Sequence, residues 1–374
     1  MTTETQPRQT PLFEAHNHAS ARMVDYAGWA MPVLYTSILE EARAVRSSAG
    51  IFDISHMGRI RVTGGAATAL LQGLTSNDVD SLQPSEAHYS LLTNPEGGII
   101  DDIIVYRESE NAYMVVINAG NTDKDLDWIR RHATGDVRIA DNTAATAMIA
   151  VQGPRAPSMV ADLAGDPGLL GLKRFQYAQG RIAGVDATLC RTGYTGEDGF
   201  ELIVAAEKAL NVWNLLCDAG ATQCGLGARD GLRIEAGYPL YGHEIDDSTS
   251  PVEAGLMWVV RLEKGDFMGA DAIRSVKHAG PSRKLVGLRS EDRQQPRQGY
   301  SVYAESISIG TVTSGVFSPT RNRSIAMAYI ATPFARTGVA VSIAIRDKRI
   351  EAMICAKKSL LDDAEEHVSL PSHI

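Results

Sequence analysis

Pro95-Glu96-Gly97-Gly98-Ile99-Ile100-Asp101-Asp102-Ile103-Ile104-Val105-Tyr106 opens on a Pro/Gly turn and continues as a β-branched run. That pattern predicts a strand with two adjacent carboxylates in its middle. Side chains alternate along a strand, so Ile100, Asp102 and Ile104 share one face and Ile99, Asp101, Ile103 and Val105 the other. Both faces are apolar, and at least one aspartate therefore faces something other than open water. A lone ionised carboxylate is costly to bury, so it is normally paired, hydrogen-bonded or protonated. Two uses fit such a pair: local hydrogen bonding that caps a hairpin, or a working carboxylate in a cavity.

Outward from this stretch, Tyr89–Thr93 lies across the Asn94–Gly98 turn, and the two runs together predict a β-hairpin. Upstream, Met23–Pro32 reads as a short strand closed by Gly and Pro. Ser37-Ile38-Leu39-Glu40 is a capping box that starts a helix running towards Gly50. Ile51–Met57 and Arg59–Val62 read as strands, and Ala66–Leu74 as a helix. Downstream come a strand at Tyr113–Asn118, a helix at Lys124–His132, a strand at Ala147–Gln152, and Pro154 as the first residue of a further helix. A helix at Glu207–Ala219 ends at Gly220. Cys224–Asp230 opens another, with Asp230 expected in its first turn. Strands and helices mix without a strict βαβ order, which predicts an α+β fold with antiparallel sheets. No internal repeat is evident.

A polar, Gly-containing stretch from Lys264 to Ser282 places a domain boundary near Gly280. Beyond it Lys284–Leu288, Tyr300–Tyr303, Ser306–Ser314, Ser324–Ile330 and Val339–Arg346 are short strands separated by turn residues, which suggests a small barrel or sandwich. The predicted organisation is 1–280 as one region, 281–361 as a β-domain and 362–374 as a loose acidic tail.

The chain has 374 residues, 44% hydrophobic and 22% charged, an ordinary globular composition. A net charge of −9 and a pI of about 5.5 argue against nucleic acid as a partner, because neutralising phosphates takes a basic face. No apolar run is long enough for a membrane span. Thr2–Thr10 is polar and carries Glu4, unlike a signal or transit peptide. The four cysteines are widely spaced, which points to reduced thiols and a cytoplasmic location. The histidines show no metal-ligand spacing beyond His16-x-His18, and no metal is expected.

Gly193, Gly196 and Gly199 resemble a phosphate-binding loop only in part. The G-x-G start is missing and the next helix begins too late, so no nicotinamide site is expected. These glycines fit a tight hairpin. Around them Tyr194, Glu197, Asp198 and Glu201 gather three acids and an aromatic, a set suited to a planar, amino-rich heterocycle. Arg229 and Arg233 lie four apart on one helix face, either as ligand contacts or as an ion-pair network. His243, in Tyr238–Asp246, is an acid–base candidate or a hydrogen-bonded loop residue.

Taken together, Arg22–Trp29, Phe52–Gly58, Gly97–Asp102, Arg191–Glu197, Gly225–Asp230, Leu240–Glu244 and Thr313–Thr320 resemble the T-protein family of the glycine cleavage system. The resemblance runs from Thr10 to about Lys358. It implies two intertwined folate-binding lobes followed by a C-terminal β-barrel. It also implies tetrahydrofolate as co-substrate and the lipoylated H-protein as partner. Carried over residue by residue, the catalytic aspartate falls on Asp102, and Tyr89, Asn118, Tyr194, Glu201 and Arg229 fall on folate-contacting positions. The implied reaction moves the methylene carbon of aminomethyl-lipoyl H-protein to tetrahydrofolate and releases ammonia.

Two other readings keep the same fold: a tetrahydrofolate-dependent demethylase, and a folate-binding maturation protein of iron–sulfur assembly. The second lacks its Lys-Gly-Cys-Tyr-x-Gly-Gln-Glu signature here. The chain departs from the family after Lys357-Lys358, where Ser359-Leu360-Leu361-Asp362-Asp363 replaces Pro-Phe and a basic or aromatic tail.

Overall fold

The computed structural model describes residues 6–360, so the expectation for 362–374 lies outside the described residues. The chain forms two compact units. Residues up to Leu92 with Asp101–Arg229 make the first, and Thr93–Ile100 with residues from Asp230 onward make the second.

The first unit opens with β1 (Arg8–Gln9), α1 (Phe13–His18), β2 (Arg22–Tyr26) and β3 (Trp29–Leu34), the strands in sheet order β1-β3-β2. Met23–Pro32 is thus a hairpin and not a single strand. Ala27 and Gly28 both take positive φ, 53° and 77°, as a two-residue hairpin turn requires. α2 (Ile38–Ser47) and β4 (Gly50–Asp53) follow. Ser37 caps α2 by accepting the Glu40 N–H at 3.2 Å, as the capping box predicts.

Two modules of the same plan come next. The first is β5 (Gly58–Thr63), α3 (Ala67–Leu74), β6 (Ala87–Thr93), β7 (Ile99–Ser109), β8 (Ala112–Ile117), α4 (Thr122–His132) and β9 (Arg138–Asp141). The second is β10 (Thr146–Gln152), α5 (Ala156–Ala164), β11 (Tyr177–Ile182), β12 (Val185–Cys190), β13 (Gly199–Ala205), α6 (Ala209–Asp218) and β14 (Thr222–Gln223). Their sheets run β6-β7-β8-β5-β9 and β11-β12-β13-β10-β4-β14. The orders match once β4 is seen as an insert from outside the module.

The internal repeat that the sequence hides is therefore a repeat of elements. Gly64 and Gly153 stand at the same point after the first strand, with φ of 119° and 129°. A Cβ there would come within 2.2 Å of the Asp136 carbonyl oxygen and 2.5 Å of the Ser48 one. Ala87 N donates to Phe175 O at 2.7 Å and Tyr177 N to Ser85 O at 3.0 Å, a reciprocal pair that relates the modules by a pseudo-two-fold. Alternation in strands and an i, i+3, i+4 stripe in helices specify such elements without fixing residue identities.

Small differences from the sequence reading are local. The helix after β10 starts at Ala156 with Pro157 in its first turn, so Pro154 precedes it. α7 (Leu226–Glu235) has Asp230 as its fifth residue, past the first turn.

The second unit contains α8 (Ala270–Ala279), within the polar, Gly-containing stretch that suggested a domain boundary, and a closed barrel. Its strands are β15 (Arg283–Ser290), β16 (Ser301–Ala304), β17 (Ile307–Ser318), β18 (Arg323–Ala331), β19 (Ala340–Ile345) and β20 (Lys348–Cys355). The order β15-β18-β17-β16-β19-β20 leaves no open edge. Val286, Leu288, Val302, Val312, Val341, Ile343 and Ile354 fill the interior. Among the described residues no helix is long and apolar enough to cross a membrane.

Candidate active site

The six residues singled out by resemblance all belong to the first unit. β7 presents its two acids differently: Asp101 is fully buried, and Asp102 remains partly open. β7 and β8 pair with Ile104 opposite Val116, and this register brings Asn118, just past the end of β8, beside Asp102. The Asn118 side-chain amide donates to Asp102 Oδ1 at 2.8 Å and to Asp101 Oδ1 at 2.9 Å. Its backbone N–H donates to Asp101 Oδ2 at 3.0 Å. Asp101 also accepts from Asn121 Nδ2, whereas Asp102 accepts from the Tyr89 hydroxyl at 2.9 Å. Asp101 thus turns towards the start of α4 and Asp102 towards β6.

The electrostatics separate the two roles further. Burial, then the neighbouring Asp101 charge, pushes the Asp102 carboxyl up to about 7, against the hydrogen bonds from Tyr89 and Asn118. Such a group takes up and releases protons near neutral pH. Burial and the Asp102 charge raise the Tyr89 hydroxyl well above its ordinary value, so it stays a donor.

A second cluster comes from the other module and α7. Glu201, on β13, is 5% exposed and accepts from the Thr192 hydroxyl at 2.5 Å. Burial raises its carboxyl, while Arg229 and Thr192 favour the charged form. The Arg229 guanidinium lies 4.9 Å from the centroid of the Tyr194 ring, a cation–π contact. Its Nη1 is buried without an acceptor, and a buried donor of this kind is expensive unless a ligand satisfies it. α7 can present Arg229 here because a glycine precedes it: a Cβ on Gly225 would sit 2.4 Å from the Val33 carbonyl. Tyr194 lies close enough to Tyr89 to raise its hydroxyl further, which links the two clusters.

The Gly193–Gly199 loop is built by packing. A Cβ on Gly193 would meet Gln152 Oε1 at 1.9 Å. The same Gln152 donates to Thr192 O at 3.1 Å and accepts from the Thr195 hydroxyl at 2.9 Å. Glu197 pairs with Arg46 at 2.9 Å and Asp198 with Arg191 at 2.6 Å. Of the three acids grouped around the glycines, two therefore hold the loop and Glu201 alone faces Arg229.

In the second unit Arg233 is 1% exposed and pairs with Glu244 at 2.7 Å and with the Ser314 hydroxyl at 2.7 Å, a structural network. His243 Nδ1 lies 3.2 Å from Thr313 O. Among the described residues no group of three His, Cys, Asp or Glu side chains is placed to hold a metal ion, and the four cysteines are free thiols.

The sequence reading passed over Asn121, Asp125 and His56. His56 is buried, its pKa lowered to about 3 by burial above all and by Arg229 and Arg59, with Asp53 opposing. It is neutral at working pH, with Nδ1 unpartnered. The only sequence signal for His56 was its place in Phe52–Gly58. Asn121 ends the turn before α4, and Asp125 lies on the buried face of α4, which periodicity expects to be apolar.

Comparison with known proteins brings a consistent result. Residues 12–264 match the family model described as the GCVT N-terminal domain. Residues 283–362 match the glycine cleavage T-protein C-terminal barrel domain. The chain is 45% identical over 353 residues to an aminomethyltransferase of Geobacillus kaustophilus, covering 93% of this chain and 97% of the relative. It is 43% identical over 357 residues to one of Halalkalibacterium halodurans, covering 94% and 98%. The crystal structure of the glycine cleavage system aminomethyltransferase T from Bartonella henselae superposes with a TM-score of 0.88 at 36% identity, over 94% of this chain and 97% of that one.

Proposed function

The chain belongs to the glycine cleavage T-protein family, and from that premise we propose how its own residues carry out the reaction. It is an aminomethyltransferase acting with tetrahydrofolate. In our reading, tetrahydrofolate N5 attacks the methylene carbon of an aminomethyl group held on the lipoyl sulfur of the H-protein. Ammonia leaves, N10 closes on the same carbon, and the dihydrolipoyl thiol departs. Two protons leave the folate nitrogens, and one ends on sulfur and the other on ammonia.

Asp102 is the proposed catalytic residue, and the observation that carries this role is its position. It is a largely buried carboxylate with an ionisation near 7, fixed by Tyr89 and Asn118. It can take the N5 proton and steady the positive charge that develops on the methylene carbon and the departing amine. Glu201, Tyr194 and Arg229 would hold the pterin. Glu201 accepts its N–H groups, Tyr194 offers a ring face, and the unpartnered Arg229 Nη1 supplies a donor to a ring acceptor. Fixing two substrates in one site lowers the barrier by up to roughly 7–11 kcal/mol, so Asp102 need not act as a nucleophile.

We place the folate-binding region at residues 1–280, the barrel at 281–361, and the enzyme in the cytoplasm, in keeping with its widely spaced free thiols. The test is ammonia release from aminomethyl-loaded H-protein with tetrahydrofolate, run beside sulfonium and aryl-ether methyl donors. Turnover of the methyl donors with none of the H-protein would replace this reading with the demethylase.

A further inference from the structure

The reaction as described makes no use of Asp125. In α4 the buried stripe is Thr122, Asp125, Leu126 and Ile129. In α6, its counterpart in the second module, the buried stripe is Ala209, Val212, Trp213 and Leu216. Each helix follows a three-residue 3-10 turn, Ala119–Asn121 and Ala206–Lys208, so the two stripes are in phase. Asp125 stands where the second module has Val212.

This acid is fully buried, and neither of its oxygens receives a hydrogen bond from an N–H or O–H group. Its carboxyl is in hydrogen-bonding contact with that of Asp101. Two carboxyls touching in a dry interior cannot both be ionised, and they share a proton. The proton's place follows from the donors. Asp101 accepts three N–H groups, from the Asn118 backbone, the Asn118 amide and the Asn121 amide, which favour its charged form. Asp125 has no such support, so it holds the proton and donates to Asp101. Burial and the Asp101 charge push its carboxyl far above the ordinary carboxylate range. Asp102 adds to this and Lys124 opposes it.

We propose that Asp125 is a positioning residue for the reaction: as a neutral acid it hydrogen-bonds Asp101, which fixes Asn118, which in turn fixes Asp102. The role of Asp102 in this chain of contacts rests on the folate reading above. Through it, Asp125 also sets how much of the Asp101 charge bears on Asp102.

The test uses the full chain and two readouts. Infrared difference spectra at pH 9, where Asp102 is ionised, should show a protonated-carboxyl band in the wild type that Asp125→Asn removes. An unchanged band would overturn the proposal, and this holds whatever the enzyme turns over. In the kinetic arm Asp125→Asn keeps a donor to Asp101 and should retain kcat within about threefold. Asp125→Ala should lose about tenfold or more in kcat with little change in KM for folate, the scale of a misplaced catalytic group. Its ascending pH limb should move to higher pH, because Asp101 then bears on Asp102 undiminished. Equal losses in both variants with an unmoved limb would mean a structural role only. If Asp125→Ala fails to fold, the spectrum and the Asp125→Asn profile decide. Failure of the wild type to release ammonia would count against the folate reading and leave the infrared result standing.

Discussion

The two modules of the first unit follow one path and bury different things. Between sheet and helix the second places Val204, Val212, Trp213 and Leu216 in a continuous apolar core. At the matching place the first holds Asp101, Asn121 and Asp125. The second module shows that this topology closes over an apolar interior, so the fold does not require the acids. In our proposal they act on Asp102. The modules also differ in their hairpins. β7 and β8 are joined tightly at Glu110-Asn111, while β12 and β13 are separated by residues 191–198, which carry Tyr194. One module supplies the acid proposed to work, and the other, with α7, the residues proposed to recognise the pterin.

The largest expected effect is that of Asp102→Asn. Removing a general acid–base group lowers turnover by about 10²–10⁴-fold, and ammonia release should fall by at least about 10²-fold while folate affinity stays within a few-fold. Melting curves should move the other way. The folded carboxyl titrates near 7, above the ordinary carboxylate value near 4. The folded state therefore holds an extra proton between those values, and stability from this group falls as pH rises from about 4 to about 7. Asp102→Asn should melt above the wild type at pH 8, by a smaller margin at pH 5, and level with it below about pH 4. A lower melting point at both pH 8 and pH 5 would show that the carboxylate supports the fold.

Val212→Asp moves the acid into the module that lacks donors for it. It should destabilise by about 3 kcal/mol in urea unfolding, as an uncompensated buried charge does. A loss below about 1 kcal/mol would mean that the apolar module tolerates an acid and that the contrast carries no energy. Arg229→Ala should weaken folate binding by about tenfold, the worth of a charged hydrogen bond. Unchanged affinity by calorimetry would remove Arg229 from the pterin site.

Much of this was readable from the chain. The Ile99–Tyr106 run, the hairpin turn before it, the Ser37 cap and five barrel strands rest on short-range patterns, and the structure contains them. Asp102, Tyr89, Asn118, Tyr194, Glu201 and Arg229 came from family resemblance, and they gather in two linked clusters. Other features were out of reach. α8 hid in a polar, Gly-containing stretch that signalled only a domain boundary. The repeat is invisible because the modules share element order and backbone geometry, as at Gly64/Gly153 and Ser85/Phe175, which the residue pattern does not announce. Glu197 and Asp198 look like ligand groups until Arg46 and Arg191 are seen beside them. Asp125 lies one residue before Leu126 on a stripe that periodicity expects to be apolar, and only its counterpart Val212 marks it as unusual.

The central claim is that catalysis runs through an Asp102 whose ionisation is raised by burial and further by the Asp101 charge. The direct measurement is the pH dependence of single-turnover ammonia release by the wild type and Asp101→Asn, with saturating tetrahydrofolate and aminomethyl-loaded H-protein. The wild-type rate should rise through a single ionisation near pH 7, and in Asp101→Asn that limb should move to lower pH, because burial still raises Asp102 but the Asp101 charge no longer adds to it. A wild-type rate that is flat from pH 5 to 9, or a limb that stays in place in Asp101→Asn, would contradict the account.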